Sequence, residues 1–515
     1  MSAGATGHPL GWNAAPAHWI AGAWEPVSEP RAQIADPTHV VRSANPAHPS
    51  ETVWMGLCDP EAADRAVAAA RGAWRAWRDA GLEARKSVLL AWQSVTQGNL
   101  ERIARCITRE MGKTLAESRL EAKALGEKVA VTLDPVSQSR VHGYEIPIAP
   151  TRRGVCAFRP HGVMAVIAPF NFPAHLANGH FVPALLAGNT VVLKPSERAP
   201  AVGQLLAELS AEAGFPPGVF NVVQGGAATA ARLVAHADVD GILFTGSWPV
   251  GRRILEANID RPGRIIALEM GGSNAAVVCE DCDLRQAVIE CARASFATTG
   301  QRCTCTRRIV VHASVADRFV AALGRAASTL VIGPGDAEEP VFMGPLVTES
   351  AMETALQFQR DRARAGGRVV LQSTRLDREG WFVTPGIIEL DRFSRDTDAE
   401  VFAPIVQVAV ADSDEDLVEQ ANATAFGLAA SVFTGDRARW MRIARDLRAG
   451  CINWNTGTAG ASSKLPFGGL GLSGNHRPAA AFSVDYCAYP VAHMEEAGTA
   501  AAVPEGMLWR DSWLS

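Results

Sequence analysis

The chain has 515 residues, enough at about 150 residues per unit for two to four packed domains with a large core, which excludes a small disulfide scaffold. With 48% hydrophobic and 20% charged residues, it can bury enough apolar surface to offset its conformational entropy, and wholesale disorder is excluded. Forty-nine Lys and Arg against 54 Asp and Glu give a net charge of −5, without the dense basic stripe that a nucleic-acid partner requires.

In chain order, residues 1 to 17 read as an arm or covering. They lack a basic start followed by an apolar core, and no later stretch runs 18 apolar residues unbroken. The expectation is a non-exported, cytoplasmic protein with no membrane partner. Asp59 as N-cap and Pro60 in the first turn open the first clear helix, Val67, Trp74 and Trp77 give it an apolar stripe, and Gly81 stops it. Residues 141 to 158 and 483 to 495 alternate polar and apolar as strands do and are expected to pair as an arm at a subunit contact. From 163 onward four apolar runs, 163–169, 190–195, 218–226 and 241–247, each end in a turn that leads toward a helical pattern. That is a βαβα series, the signature of an α/β fold with a parallel sheet whose ligands gather beyond the carboxyl ends of the strands. A second α/β block begins near 275 with NAAVVC, continues through RRIVVHASV and runs to about 470, and residues 497 to 515 read as a second covering. The ten cysteines are too scattered for a stapling framework and fit a reducing compartment; Cys279 and Cys282 make a lone CxxC with no second pair, so no metal is predicted.

Four short motifs carry chemistry. GQRCTC at 300–305 puts Cys303 after a turn; a nucleophilic thiol there needs positive or dipolar surroundings to lower its pKa, the alternative being an inert buried cysteine. LEMGGSN at 268–274 sets Glu269 before a Gly-Gly turn, as a general base if burial raises its pKa or as a solvated glutamate if it does not. PFNFP at 169–173 ends a strand with Asn171, whose amide either donates to a developing oxyanion or holds the turn. FTGSWPVG at 244–251 follows an apolar strand, so that Gly246 and Ser247 let a pyrophosphate approach a helix N-terminus. Arg252 and Arg253 stand where a P-loop needs Lys and Ser or Thr, which disfavours ATP, and the GxGxxG fingerprint is absent. Lys194 and Glu197 in LKPSE suit ribose hydroxyls or a solvated loop. Together these motifs supply a nucleophile, a base, an oxyanion donor and a dinucleotide cradle.

PFNFP, LKPSE, FTGS with Gly251, LEMGG, GQRC, EVFAP and PFGGLGLSG occur in the order found in the NAD(P)-dependent aldehyde dehydrogenase superfamily, which the chain resembles from about Trp19 to Glu495. The resemblance implies an α/β fold with a Rossmann-type NAD-binding domain at 18–140 and 159–274, an α/β catalytic domain at 275–482, and a small β oligomerisation arm at 141–158 and 483–496. It implies catalytic roles for Cys303, Glu269 and Asn171. It assigns NAD binding to Ala168, Pro169, Phe170, Lys194, Glu197, Gly226, Gly246, Ser247, Gly251, Glu400 and Phe402. Glu197 beside the adenine ribose favours NAD over NADP by repelling a 2′-phosphate, and Glu269 as a base for water favours hydrolysis of a thioester over its transfer to coenzyme A. Trp248-Pro249, Ala399 and Ala403 depart from the usual pattern without removing a reacting atom.

Segments 171–189, 300–305, 451–469 and 473–492 point to a branch of that superfamily whose small-molecule semialdehyde is long, branched and dianionic. Gly179, where many relatives carry a bulky residue, would open the tunnel toward Cys303. His175, His180, Arg302, His476, Arg477 and the backbone N–H groups of Gly460, Ala461 and Ser462 are the candidate carboxylate partners, each with a purely structural alternative. A homodimer or dimer of dimers is implied.

Overall fold

A computed structural model describes residues 15–28, 39–499 and 501–515, so most of the covering expected at the start of the chain lies outside the described residues. Strands β1 (Ala17–Ile20) and β2 (Ala23–Pro26) form a hairpin, and β3 (Val40–Asn45) and β4 (His48–Leu57) a separate ribbon. After a run of helices come β5 (Tyr144–Ala149), β6 (Arg152–Pro160), β7 (Val163–Ile167), β8 (Thr190–Lys194), β9 (Phe220–Val222), β10 (Gly241–Gly246) and β11 (Ile265–Met270). One seven-stranded sheet has the order β11-β10-β7-β8-β9-β1-β2, parallel from β11 to β9. β7, the middle one of the five parallel strands, is apolar throughout because both faces are covered. Val163, Ala165 and Ile167 pack on Ala62, Ala66 and Val67 of the helix Ala62–Asp79, whereas Met164 and Val166 face Phe181, Leu185 and Leu205.

The second sheet is built from β12 (Asn274–Val278), β13 (Thr306–His312), β14 (Arg368–Leu371), β15 (Gly386–Glu389), β16 (Ile405–Ala411), β17 (Ala429–Phe433) and β18 (Cys451–Trp454), in the order β14-β15-β16-β13-β12-β17-β18. Only the β14–β15 pairing in it is antiparallel. A two-stranded ribbon of β19 (Pro466–Phe467) and β20 (Ala479–Ala480) follows, and β21 (Ala488–Glu496) returns to β6, giving a three-stranded sheet β21-β6-β5 from the residues read as an arm. In the first sheet the chain moves outward from β7 through β8 to β9 and then returns to the far side of β7 as β10. The crevice at this reversal is where such sheets bind ligands.

The sequence reading needs local corrections. The first helix starts at Ala62, with Glu61 in the cap position, because Asp59 spends its carboxylate on the Glu61 N–H at 2.9 Å in the preceding turn. Trp74 is not a core residue; its ring lies against Arg71 and Arg78 at 5.4 and 5.1 Å. The 218–226 run contracts to three strand residues because Gly225 and Gly226 turn the chain into the helix Ala227–Ala235. RRIVVHASV is divided at His312, whose ring nitrogen accepts from the Ser314 N–H at 3.4 Å and starts the helix Ala313–Ser328. Residues 501–515 are exposed, and among the described residues no helix is long and apolar enough to cross a membrane.

Candidate active site

The parallel strands β7, β8, β9 and β10 bring their carboxyl ends to the same edge of the first sheet. Ala168 follows β7 and donates its N–H to the Lys194 carbonyl at 3.1 Å, which brings PFNFP and LKPSE together. Lys194 Nζ lies 3.4 Å from Glu197 Oε2, the lysine buried and the carboxylate 53% exposed. Burial is the largest single influence and opposes charge on Glu197, but Lys194, a backbone N–H and Arg198 together outweigh it and lower the pKa. Gly226 occupies the cap position of the helix Ala227–Ala235, and Ser247 that of Trp248–Glu256; neither supplies a side-chain cap, so the first N–H groups of both helices lack one. Gly251 packs so closely on Met270 that a Cβ would collide with its sulfur.

The second sheet contributes the segment before β13, which reaches the Asn171 turn through the Gln301 carbonyl. The helix Leu284–Phe296 ends in a turn where Thr298, Thr299 and Gly300 all have positive φ, of 54°, 56° and 68°. Two β-branched residues in the left-handed region are strained. Thr298 Oγ1 donates to Glu117 at 2.7 Å and Thr299 Oγ1 to the Gly344 carbonyl at 2.9 Å, which offsets the strain. A Cβ at Gly300 would strike the Ala403 carbonyl, so glycine is required there for contact as well as for φ. This turn delivers Cys303. Asn171 Nδ2 donates to the Gln301 carbonyl at 3.0 Å, and Asn274 Nδ2 to the carbonyls of Cys303 and Cys305 at 2.7 and 2.8 Å.

Burial pushes the Cys303 thiol up to about 12, with the nearby Glu400 and Glu269 charges acting in the same direction and Arg307 opposing them. A nucleophilic thiol at 303 is expected in surroundings that lower its pKa; in the folded protein they raise it, because desolvation and two carboxylates exceed one guanidinium. Burial likewise lifts Glu269 well above the usual carboxylate range, against the Ala479 N–H, and Glu269 Oε2 has no hydrogen-bond partner among the described residues. Glu400 Oε1 accepts from the Gly272 N–H at 3.0 Å, and Gly271 lies against the same carboxylate with no room for a Cβ. The Phe402 ring meets Phe170 edge to face at 5.8 Å and lies 5.4 Å from the Arg307 guanidinium.

The residues read as carboxylate partners are dispersed. Arg302 is already held by Glu117 at 2.9 Å and Thr298 at 2.7 Å. His180 is buried between Tyr486 Oη and Thr245 Oγ1, both at 3.0 Å, and burial lowers its pKa to about 3. Among the described residues, His175 keeps a buried Nδ1 without a partner, and nothing lies within 4 Å of the position a Cβ would take on Gly179. Gly460, Ala461 and Ser462 form an exposed loop, and His476 and Arg477 are exposed in another. Residues that sequence reasoning did not single out include Asn274, which also accepts from the Ala429 N–H at 2.9 Å. Lys113, whose Nζ meets Glu121 at 2.5 Å and the Asn171 carbonyl at 3.1 Å, is another, and Arg307 a third. Asn274 stood inside the quoted LEMGGSN motif, the one signal that would have found it.

A family model described as "Aldehyde dehydrogenase family" matches residues 34–489. The chain is 38% identical over 480 residues to an N-succinylglutamate 5-semialdehyde dehydrogenase of Ectopseudomonas mendocina (strain ymp), covering 93% of this chain and 96% of the relative. It is 39% identical over 471 residues to a protein of the same name from Novosphingobium aromaticivorans, covering 90% of this chain and 98% of the relative. Among solved structures, PnpE from Pseudomonas sp. WBC-3 superposes with a TM-score of 0.88 at 29% identity, covering 96% of this chain and 100% of that one; a second PnpE structure is in complex with nicotinamide adenine dinucleotide.

Proposed function

The chain belongs to the aldehyde dehydrogenase family, and we propose that it oxidises N-succinyl-L-glutamate 5-semialdehyde to N-succinyl-L-glutamate with NAD, water releasing the acid. The observation that carries this reading is that the Cys303 thiol is buried with the Glu400 and Glu269 carboxylates near enough to act on it, on a loop whose Gln301 carbonyl accepts from Asn171 Nδ2 at 3.0 Å. The substrate follows from the names of the two relatives and from the open space at Gly179, which suits a long, branched aldehyde.

In this reading the Cys303 thiol gives up its proton to water, the thiolate sulfur bonds to the aldehyde carbon as the C=O π pair moves onto oxygen, and the Asn171 amide and the Cys303 backbone N–H stabilise that oxyanion. The residues present fit a dinucleotide: two helix N-termini without side-chain caps suit a pyrophosphate, the Lys194–Glu197 pair suits ribose hydroxyls, and Glu400 acts on the thiol while Phe402 packs on Phe170. When bound, NAD supplies the hydride acceptor that converts the hemithioacetal to a thioester. Glu269, whose burial favours holding a proton, then takes one from the attacking water. The Glu197 carboxylate favours NAD over a cofactor bearing a 2′-phosphate. The working form is a homodimer or dimer of dimers joined through the β21-β6-β5 sheet, in a reducing cytoplasm that suits its free cysteines.

The test is a panel of semialdehydes, with and without the N-succinyl group and including glutamate and succinate semialdehyde, followed by NADH formation. The N-succinyl compound is expected to have the highest kcat/KM without added coenzyme A, and Cys303→Ser to lose at least about 10³-fold. A preference for an unsuccinylated semialdehyde overturns the substrate, a requirement for coenzyme A overturns the hydrolysis, and full turnover by Cys303→Ser overturns the chemistry.

A further inference from the structure

One buried cation has no role in the mechanism above. Lys128, on the helix Leu115–Leu133, is 3% exposed and forms no ion pair with any described residue. Its Nζ donates to the Ala480 carbonyl at 2.7 Å and to Ser483 Oγ at 3.0 Å, and Ser483 Oγ in turn donates to the same carbonyl at 2.9 Å. Burial drops its pKa to about 8, with Cys487 opposing the shift. Burying an ammonium against neutral acceptors is costly, so the two hydrogen bonds need a reason.

The reason is the turn they hold. Ala480 has φ 59°, a conformation that strains a residue with a Cβ. It closes the ribbon in which Ala480 pairs with Pro466 and Ala479 with Phe467, and this ribbon walls in the Glu269 carboxylate. A Cβ on Gly468, next to Phe467, would lie 3.1 Å from Glu269 Oε1, and the Ala479 N–H favours the charged carboxylate. The far end is tied to β11 through Asn475, which bonds the Leu268 N–H and the Ile266 carbonyl at 3.0 and 2.8 Å. Asn475 therefore fixes one end of the segment over Glu269, and Lys128 the other.

We propose that Lys128 is a positioning residue for Glu269, its ammonium pinning the strained Ala479–Ala480 turn against the base. The proposal rests on Glu269 being the base for water. Lys128→Met is expected to lower kcat about tenfold or more by slowing release of the acyl group. NADH then appears in a burst followed by a slow steady state, while both KM values stay within about twofold and alkylation of Cys303 keeps its rate. Ala480→Gly in the Lys128→Met background is expected to restore most of the rate, because glycine takes this φ without strain. Should Lys128→Met fold poorly, Ser483→Ala removes one of the two acceptors and is expected to slow the same step to a smaller extent. Unchanged acyl release, a rise in substrate KM as the sole effect, which would make Lys128 a substrate contact, or no recovery with Ala480→Gly overturns the proposal. Glu269→Gln serves as the reference: if it turns over normally, the reading of Glu269 falls, whereas arrest there with no effect at Lys128 overturns the positioning role alone.

Discussion

Asn274 shows how one side chain can tie two strands of the second sheet, β12 and β17, to the loop that carries the thiol. Its amide holds the Cys303 and Cys305 carbonyls while its oxygen holds Ala429 at the start of β17. Asn274→Ala leaves three backbone groups to find other partners, and a loss of about 1–3 kcal/mol in denaturant unfolding is expected, together with slower alkylation of Cys303. Arg307 is the cation that opposes the upward push on that thiol, so Arg307→Met is expected to slow alkylation at neutral pH and move its pH profile further to the alkaline side. Glu110 is a buried carboxylate outside the site, bonded to the Ala201 and Val202 N–H groups at 2.9 Å, with burial raising its pKa from 4.5 to about 7. A raised folded pKa means that the folded state holds the proton more tightly. Its contribution to stability is therefore full below about 4.5 and lost as pH rises through about 7. Unfolding curves across that window should show a decline in the parent chain that Glu110→Gln flattens.

At the scale of elements, the parallel strands of the first sheet and the turn before Cys303 were legible to different degrees. The apolar runs that became β7, β8 and β10 are readable because strands buried on both faces must be continuously hydrophobic. The Thr298–Gly300 turn was not, since two β-branched residues at positive φ contradict local preference and persist only through partners 181 and 45 residues away in the chain. Gly179 faces open space, so Gly179→Trp is expected to fold with a melting temperature close to that of the parent, yet to lower kcat/KM for the long semialdehyde at least about tenfold. Competition assays against a short aldehyde would measure this, and equal losses for both substrates would contradict a size filter.

For the molecule as a whole, the sheet β21-β6-β5 leaves Tyr144, Ile146 and Ile148 on its edge strand 61, 48 and 48% exposed. An edge strand with apolar side chains invites pairing. If the proposed dimer forms there, Ile146→Asp with Ile148→Asp lowers the sedimentation coefficient toward that of a monomer without changing the circular dichroism; an unchanged coefficient would place the contact elsewhere.

By itself, the order of short motifs in the chain determined the family, the alternation of strands and helices, and the reacting groups Cys303, Glu269 and Asn171 as candidates, because these depend on residue identity and local spacing. Only the tertiary structure decided that burial and two carboxylates raise the thiol, that Arg302 and His180 are already engaged, and that Lys128 and Asn274 hold the base and the nucleophile loop. Those outcomes depend on which distant residues end up within hydrogen-bond reach and how much water they exclude. No local pattern in a chain encodes either quantity.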